Sequence, residues 1–219
     1  MPVEPISRVA VMTTILIADD HDVVRFGLQV LLSEQPGWEV VAEAGDGKEA
    51  VAQALKTKPD VAIIDYSLPL LNGLEVTRQI RQRSPDTAVL IFTMHDSDNL
   101  IHQLLRAGAM GYVLKSDAQR LLVTAIDSVA QRKPFFVGSV SETLLRAFLT
   151  KDTDSPLSAR QRSVVQLIAE GHSNKKIATI LGLSVKTVET HRAAAHHKLE
   201  LRSTAALVRY AIRNKLIEA

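Results

Sequence analysis

The chain has no cysteine among its 219 residues, which excludes disulfides and thiol chemistry. No apolar run approaches the roughly 20 residues that a membrane-spanning helix requires, so no membrane partner is expected. The opening stretch MPVEPISRVAVMTTILIADD lacks the build of a signal peptide, and a cytoplasmic location is expected. Internal repeats and low-complexity segments are also missing, which argues against a solenoid or a disordered chain. What is present is ordinary globular material. Hydrophobic residues make up 46% of the chain, and its length suits two modest domains.

The net charge of +2 hides an asymmetry. Residues 1–150 hold 14 Lys/Arg against 18 Asp/Glu, whereas residues 151–219 hold 12 against 6 and four of the seven histidines. A basic module joined to an acidic one implies that the C-terminal part meets a polyanion.

From Thr13 to Lys133, short β-rich runs alternate with amphipathic stretches. The strand candidates are ILIAD from Ile15, WEVVAEA from Trp38, VAIID from Val61, AVLIFT from Ala88 and GYVLK from Gly111. Nearly continuous apolar runs are what parallel strands covered on both faces require. The intervening segments carry helical spacing, and Lys133-Pro134 ends the last of them. Five such units predict an α/β, doubly wound, five-stranded parallel sheet with its crevice at the carboxyl ends of the strands. Residues 1–12 read as an N-terminal tail, and Met12, directly before the first strand, is where a natural start would fall. Residues 134–155 read as a linker that includes the short helix SETLLRAFL. Residues 156–219 read as a small all-α domain.

Asp19 and Asp20 fall at the end of the first strand and Asp65 at the end of the third. These strands are neighbours in a doubly wound sheet, so three carboxylates converge. Such a cluster needs a hard cation, and Mg²⁺, which favours oxygen ligands, suits it. Thr93 and Lys115, ending the fourth and fifth strands, add a hydroxyl and an ammonium. Together these groups make a site for a phosphoryl group, with one carboxylate able to act as nucleophile.

The segments ADDH (Asp19-Asp20), VAIIDYSLPLLNG (Asp65), FTMH (Thr93) and GYVLK (Lys115) resemble the response-regulator receiver family, which is flavodoxin-like. The resemblance covers residues 13–133. It implies that Asp65 accepts a phosphoryl group from a sensor histidine kinase. It implies further that Asp19, Asp20, Asp65 and the backbone carbonyl of Ser67 hold Mg²⁺. Thr93 would bond a phosphoryl oxygen, Lys115 would pair with its charge, and Tyr112 would be the aromatic that swings inward. Ser67 and His95 occupy positions that tune how long the phosphoryl group persists. One departure is Ser116, where many receivers have proline, often after a cis bond; without proline a cis bond costs about 2.5–4 kcal/mol.

Further on, NKKIATILG-LS-VKTVETH has the form helix, glycine turn, helix, with Ser184 a natural N-cap. Val185, Val188, Ala195 and Leu199 are expected as the buried stripe of the second helix. LIAEG, SNKKIA and LSVKTVETHR together resemble the NarL/FixJ family with its LuxR-type helix-turn-helix, over residues 155–217. By position, Lys186, Glu189 and Thr190 are candidates for base-edge contact. Lys176, Thr187, His191 and Arg192 are candidates for phosphate or positioning contacts. Two departures are Gln161, where the family usually has Glu, and Ala195, where a bulky apolar residue usually anchors the recognition helix. His196 and His197 point about 100° apart on a helix, which disfavours joint metal binding.

The resemblances imply a non-enzymatic regulator whose phosphorylation promotes homodimerisation and promoter binding. At rest the receiver would either cover the recognition helix or keep the chain monomeric. Ala205, Val208 and Ile212, on one face of the last helix, would form either a partner surface in the DNA-bound dimer or core. Two other classes remain: a phosphatase-type enzyme, whose usual second acid is Ser67 here, and a DNA-binding protein with a passive receiver.

Overall fold

A computed structural model describes residues 12–95, 98–136, 156–214 and 216–217. The N-terminal half alternates strands and helices: β1 (Thr13–Ala18), α1 (Asp22–Ser33), β2 (Trp38–Ala44), α2 (Gly47–Thr57), β3 (Val61–Ile64), α3 (Gly73–Arg83), β4 (Ala88–Thr93), α4 (Asp98–Ala107), β5 (Gly111–Leu114), α5 (Ala118–Ala130) and β6 (Phe135–Phe136). The strands form one parallel sheet ordered β2-β1-β3-β4-β5-β6. Four helices follow in the C-terminal half: α6 (Ala159–Ala169), α7 (Asn174–Leu181), α8 (Val185–Lys198) and α9 (Thr204–Arg213).

The strands sort their side chains with a period of two, as the pleat demands. Leu16, Ala18, Ala62, Ile64, Val89 and Ile91 enter one core with α2, α3 and α4. Ile15, Ile17, Val61, Ile63, Leu90 and Phe92 enter the other, with α1 and α5. The doubly wound expectation holds, with one correction: the sheet has six strands, not five. Phe135 and Phe136, assigned to the linker from sequence, pair in parallel with Gly111 and Tyr112. The two rings pack half-buried against opposite cores, which gives this two-residue strand its reason to form. The linker helix SETLLRAFL and residues 1–11 lie outside the described residues. All described peptide bonds are trans, that before Ser116 included.

Helix starts follow the side chains that can accept from the first free N–H groups. Asp46 caps α2 through the N–H groups of Lys48 and Glu49, and Asn72 caps α3 through that of Glu75. Ser158 and Gln161 form a reciprocal capping box on α6, so the Gln161 departure keeps a side-chain acceptor for the Ser158 N–H. Gly182, at φ +64°, ends α7 and makes the turn into α8, which Ser184 caps. Ala195 is fully buried in the C-terminal core beside Val188, Leu207 and Ala211, so the small side chain is closed over by its neighbours. Val185 departs from its expected place: it is 40% exposed. It is the first residue of α8, one turn short of the point where the helix meets the core.

The two halves meet along α6, in which every residue from Gln161 to Ile168 is buried. Its apolar side, with Val164, Val165, Leu167 and Ile168, packs into the C-terminal core. Arg162, Gln166 and Glu170 recur every four residues and so share the opposite side. There the amide of Gln166 donates to the carbonyl of Leu68 at 3.1 Å and accepts the N–H of Asn72 at 3.2 Å. Glu170 accepts from Gln166 at 2.8 Å and from the N–H of Leu70 at 3.3 Å. Leu70 itself sits at φ +67°, a left-handed conformation that costs a residue with a Cβ about 1–2 kcal/mol, and packs against the C-terminal core. Lys48 adds a bond to the carbonyl of Ile180 at 2.6 Å.

The loop from Ser67 to Asn72 is also pressed from the receiver side. A Cβ on Gly47 would lie 1.8 Å from the carbonyl oxygen of Leu71, whereas one on Gly27, exposed on α1, would meet nothing within 4 Å. The same substitution therefore has opposite signs at the two sites. Gly47→Ala should destabilise the receiver by about 1–3 kcal/mol through overpacking, and Gly27→Ala should stabilise it by about 0.5–1 kcal/mol through helix propensity. Denaturant unfolding of both variants measures the difference, and equal midpoints would contradict the close approach.

Candidate phosphoryl site and nucleic-acid interface

The register of the sheet builds the first site. Ala18 lies opposite Ile64, and the N–H of Asp65 donates to the carbonyl of Ala18 at 2.8 Å. Asp19 and Asp65 therefore leave adjacent strands side by side, at the point where the strand order reverses. Asp19 is 1% exposed and Asp65 3%. Thr93 pairs with Leu114, which places Lys115 immediately beyond it, in a single 3-10 turn. The Lys115 ammonium lies 2.7 Å from Asp19 Oδ2 and 3.4 Å from Asp65 Oδ2.

Burial, opposed by Lys115 and reinforced by Asp19, pushes the Asp65 carboxyl up to about 6. Burial works against the Lys115 ammonium, but Asp65 and Asp19 outweigh it and hold that group above its ordinary value. Asp19 Oδ2 is buried and, apart from the Lys115 ammonium 2.7 Å away, has no donor among the described residues. A buried carboxylate oxygen left in that condition, with Asp20 beside it, fits a hard dication. Ligand atoms of Asp19, Asp20 and His21 lie within 4.8 Å of one another. His21 was not among the expected site residues. Its Nδ1 stands 2.8 Å from Asp20 and 3.3 Å from Asp19, and Asp20 above all raises its pKa. The only hint in sequence is its place directly after the two aspartates.

His95 gathers the remaining residues. Its N–H donates to Thr93 Oγ1 at 3.3 Å, its Nε2 lies 2.7 Å from Ser67 Oγ, and its carbonyl accepts from the Tyr112 hydroxyl. The ring of Tyr66 meets the His95 ring edge-on, with centroids 5.6 Å apart. Thr93 is fully buried and Tyr112 is 4% exposed, so the aromatic occupies the inward position. Tyr66 is itself buried, which pushes its hydroxyl up to about 12, and Arg162 of α6 is near enough to oppose that shift.

The second site lies on α8. Lys186, Glu189 and Thr190 are exposed on one face, and Lys176 is exposed on α7. Among the described residues, the hydrogen bonds from the receiver fall on α6 and the end of α7, and Lys186, Glu189 and Thr190 stay exposed. Val185, expected in the core, joins the exposed face instead. Thr187 is held in the cap by Ser184, their hydroxyls 2.8 Å apart. His191 and Arg192 are half-buried. Arg192 bonds Thr204 at 2.6 Å and Asn174 at 3.4 Å, which ties the starts of α7 and α9 to α8. His196 Nδ1 lies 3.0 Å from the carbonyl of Leu201, a contact within the fold. On α9 the core side chains are Leu207 and Ala211, and the face with Ala205 and Ile212 is turned to solvent.

Comparison with known proteins gives the family of both halves. Residues 15–127 match the response regulator receiver domain, and residues 155–211 match the bacterial regulatory proteins of the luxR family. The oxygen regulatory protein NreC of Staphylococcus epidermidis is 40% identical over 215 residues, covering 93% of this chain and 99% of that protein. A LuxR-family two-component response regulator from Aurantimonas is 35% identical over 64% of this chain and 99% of its own, with a TM-score of 0.59. RcsB from Salmonella enterica serovar Typhimurium, bound to the rprA promoter in the presence of the phosphomimetic BeF3⁻, is 27% identical. That similarity covers 91% of this chain and 98% of RcsB, with a TM-score of 0.64. The chain is thus a member of the DNA-binding two-component response regulators, in which a receiver domain is joined to a LuxR-type helix-turn-helix.

Proposed function

We propose that Asp65 accepts a phosphoryl group from a sensor histidine kinase, and that this promotes homodimerisation and promoter binding. The observation that carries the reading is one buried carboxylate, Asp65, placed beside both a second buried carboxylate and the Lys115 ammonium. Asp19, Asp20, Asp65 and the carbonyl of Ser67 would hold Mg²⁺, which offsets charge on the phosphoryl oxygens. An Asp65 oxygen attacks phosphorus, the bond to the kinase imidazole nitrogen breaks, and the neutral imidazole leaves. Lys115 then pairs with the new charge, and Thr93 turns its hydroxyl to a phosphoryl oxygen.

A two-state shift follows from this chemistry rather than a new fold. The open face of α8 favours control through dimerisation over control by covering the recognition helix. The side of α9 with exposed Ala205 and Ile212 and half-buried Val208 is the surface that two copies would share. Promoter binding puts the protein in the cytoplasm. Ser67 stands where a phosphatase-type enzyme would carry its second acid and is engaged with His95, which supports a phosphoacceptor without turnover.

Incubation with acetyl phosphate and Mg²⁺ should give one phosphorylated species on a phosphate-affinity gel. Asp65→Asn should give none, and EDTA should suppress the wild-type product. Repeated turnover of phosphate esters, or DNA affinity unchanged by the phosphodonor, would overturn the reading. For DNA, Lys186→Ala should weaken operator binding by about 1–3 kcal/mol and relax preference at one base pair if Lys186 reads a base edge. Lys176→Ala should weaken all sequences alike and reduce the salt slope by about 1, as loss of a phosphate contact does. Fluorescence anisotropy titrations at several salt concentrations separate the two outcomes.

A further inference from the structure

The DNA-binding domain reaches into the loop that carries the phosphoacceptor. Asp65 directly follows β3, Ser67 comes next but one with the carbonyl assigned to the metal, and the next five residues lead to the cap of α3. Gln166 grips this loop at both ends, through the carbonyl of Leu68 and the N–H of Asn72. It is 1% exposed, and its second amide hydrogen goes to Glu170, which in turn holds the N–H of Leu70. Three backbone groups of one receiver loop thus find their partners on two side chains of another domain. Leu70 repeats the pattern: its left-handed backbone favours glycine or asparagine, yet its leucine side chain packs on the C-terminal core. Without the docked helix, all of these groups lose their partners together.

The docked arrangement shown here is also the one with Tyr112 buried inward, Thr93 buried and the reading face of α8 exposed. Docking therefore coexists with an inward switch and an open recognition helix.

We propose that Gln166 of α6 is a positioning residue of the phosphoryl site, so that the docked DNA-binding domain organises the Ser67–Asn72 loop and phosphorylation tightens the dock instead of releasing it. The inference rests on Asp65 being the phosphoacceptor. By reciprocity, whatever the dock contributes to phosphorylation, phosphorylation contributes to the dock. Gln166→Leu removes both bonds to the loop while keeping a side chain of similar size. The freed carbonyl and N–H groups can be satisfied only by water, which drives the helix off the loop.

The test uses the full chain, as wild type, Gln166→Leu, Glu170→Gln and Asp65→Asn. Two quantities are read: the Mg²⁺ concentration giving half-maximal phosphorylation by acetyl phosphate, and hydrogen exchange of the Leu70 and Asn72 amides with and without BeF3⁻ and Mg²⁺. Gln166→Leu should raise the half-saturating Mg²⁺ on the order of 10-fold, the usual effect of losing a group that orients a metal ligand. Its Leu70 and Asn72 amides should exchange faster while those of β3 stay protected, which separates loss of positioning from loss of fold. Glu170→Gln should move both readings in the same direction by less, and it covers the case in which Gln166→Leu does not fold. In wild type, BeF3⁻ should slow exchange at Leu70 and Asn72. Faster exchange with BeF3⁻, or wild-type Mg²⁺ dependence in both α6 variants, would overturn the proposal. If instead Asp65→Asn is still phosphorylated, it is the phosphoacceptor assignment that fails.

Discussion

The Lys115 ammonium faces two buried carboxylates, those of Asp19 and Asp65, and the receiver is arranged around that imbalance of charge. Burying even one carboxylate without compensation is costly, and here two leave neighbouring strands at adjacent register. The sheet order makes the crowding unavoidable, because β1 and β3 pair directly and both end at this edge. What the arrangement yields is an excess of negative charge with room for a cation, next to a carboxylate raised toward neutrality by its surroundings. The strands on either side are among the most completely buried in the molecule, so the groups have little freedom to move apart.

The receiver was legible because its physics is written locally. Strands buried on both faces read as unbroken apolar runs, and each site residue follows directly on such a run: Asp19 after Ala18, Asp65 after Ile64, Lys115 after Leu114. What escaped depends on tertiary contacts. The pair Phe135-Phe136 is too short to show a period, and only the edge of β5 makes it a strand. The resemblance marks His95, with Ser67, as a position that tunes the phosphoryl group, but its contacts are not legible there: β5 brings Tyr112 to its carbonyl and the loop after β3 brings Ser67 to its ring. Val185 fits the apolar spacing of α8, yet it lies beyond the end of the core. The polar residues of α6 were the least legible of all. Arg162 and Gln166 have the spacing of a solvent-facing stripe, and they are buried only because a second domain lies against them.

In the C-terminal domain, the side chains divide between holding the helices and facing outward. Arg192 and Thr187 belong to the first group, committed to neighbouring helix starts and to the cap. Lys186, Glu189 and Thr190 belong to the second. In the core, α8 packs against α6 and α7, and Ala195 is fully buried among the side chains they share. The outward residues are thus mounted on a helix fixed at its cap, at its middle and along its inner stripe.

Because α6 is enclosed on both sides, it belongs to two cores at once, and its sequence answers to both. Regulators of this build invite exchange of parts, with one receiver grafted to another output domain at the linker. In this chain the seam does not follow the linker. Leu70 on one side and Gln166 with Glu170 on the other form a matched set across the boundary. A hybrid that takes only one side inherits a leucine with nothing to pack on, or a buried amide facing the wrong loop. The unit that can be transplanted intact is therefore the whole pair of domains, or a domain whose half of that set has been rewritten to suit its new neighbour.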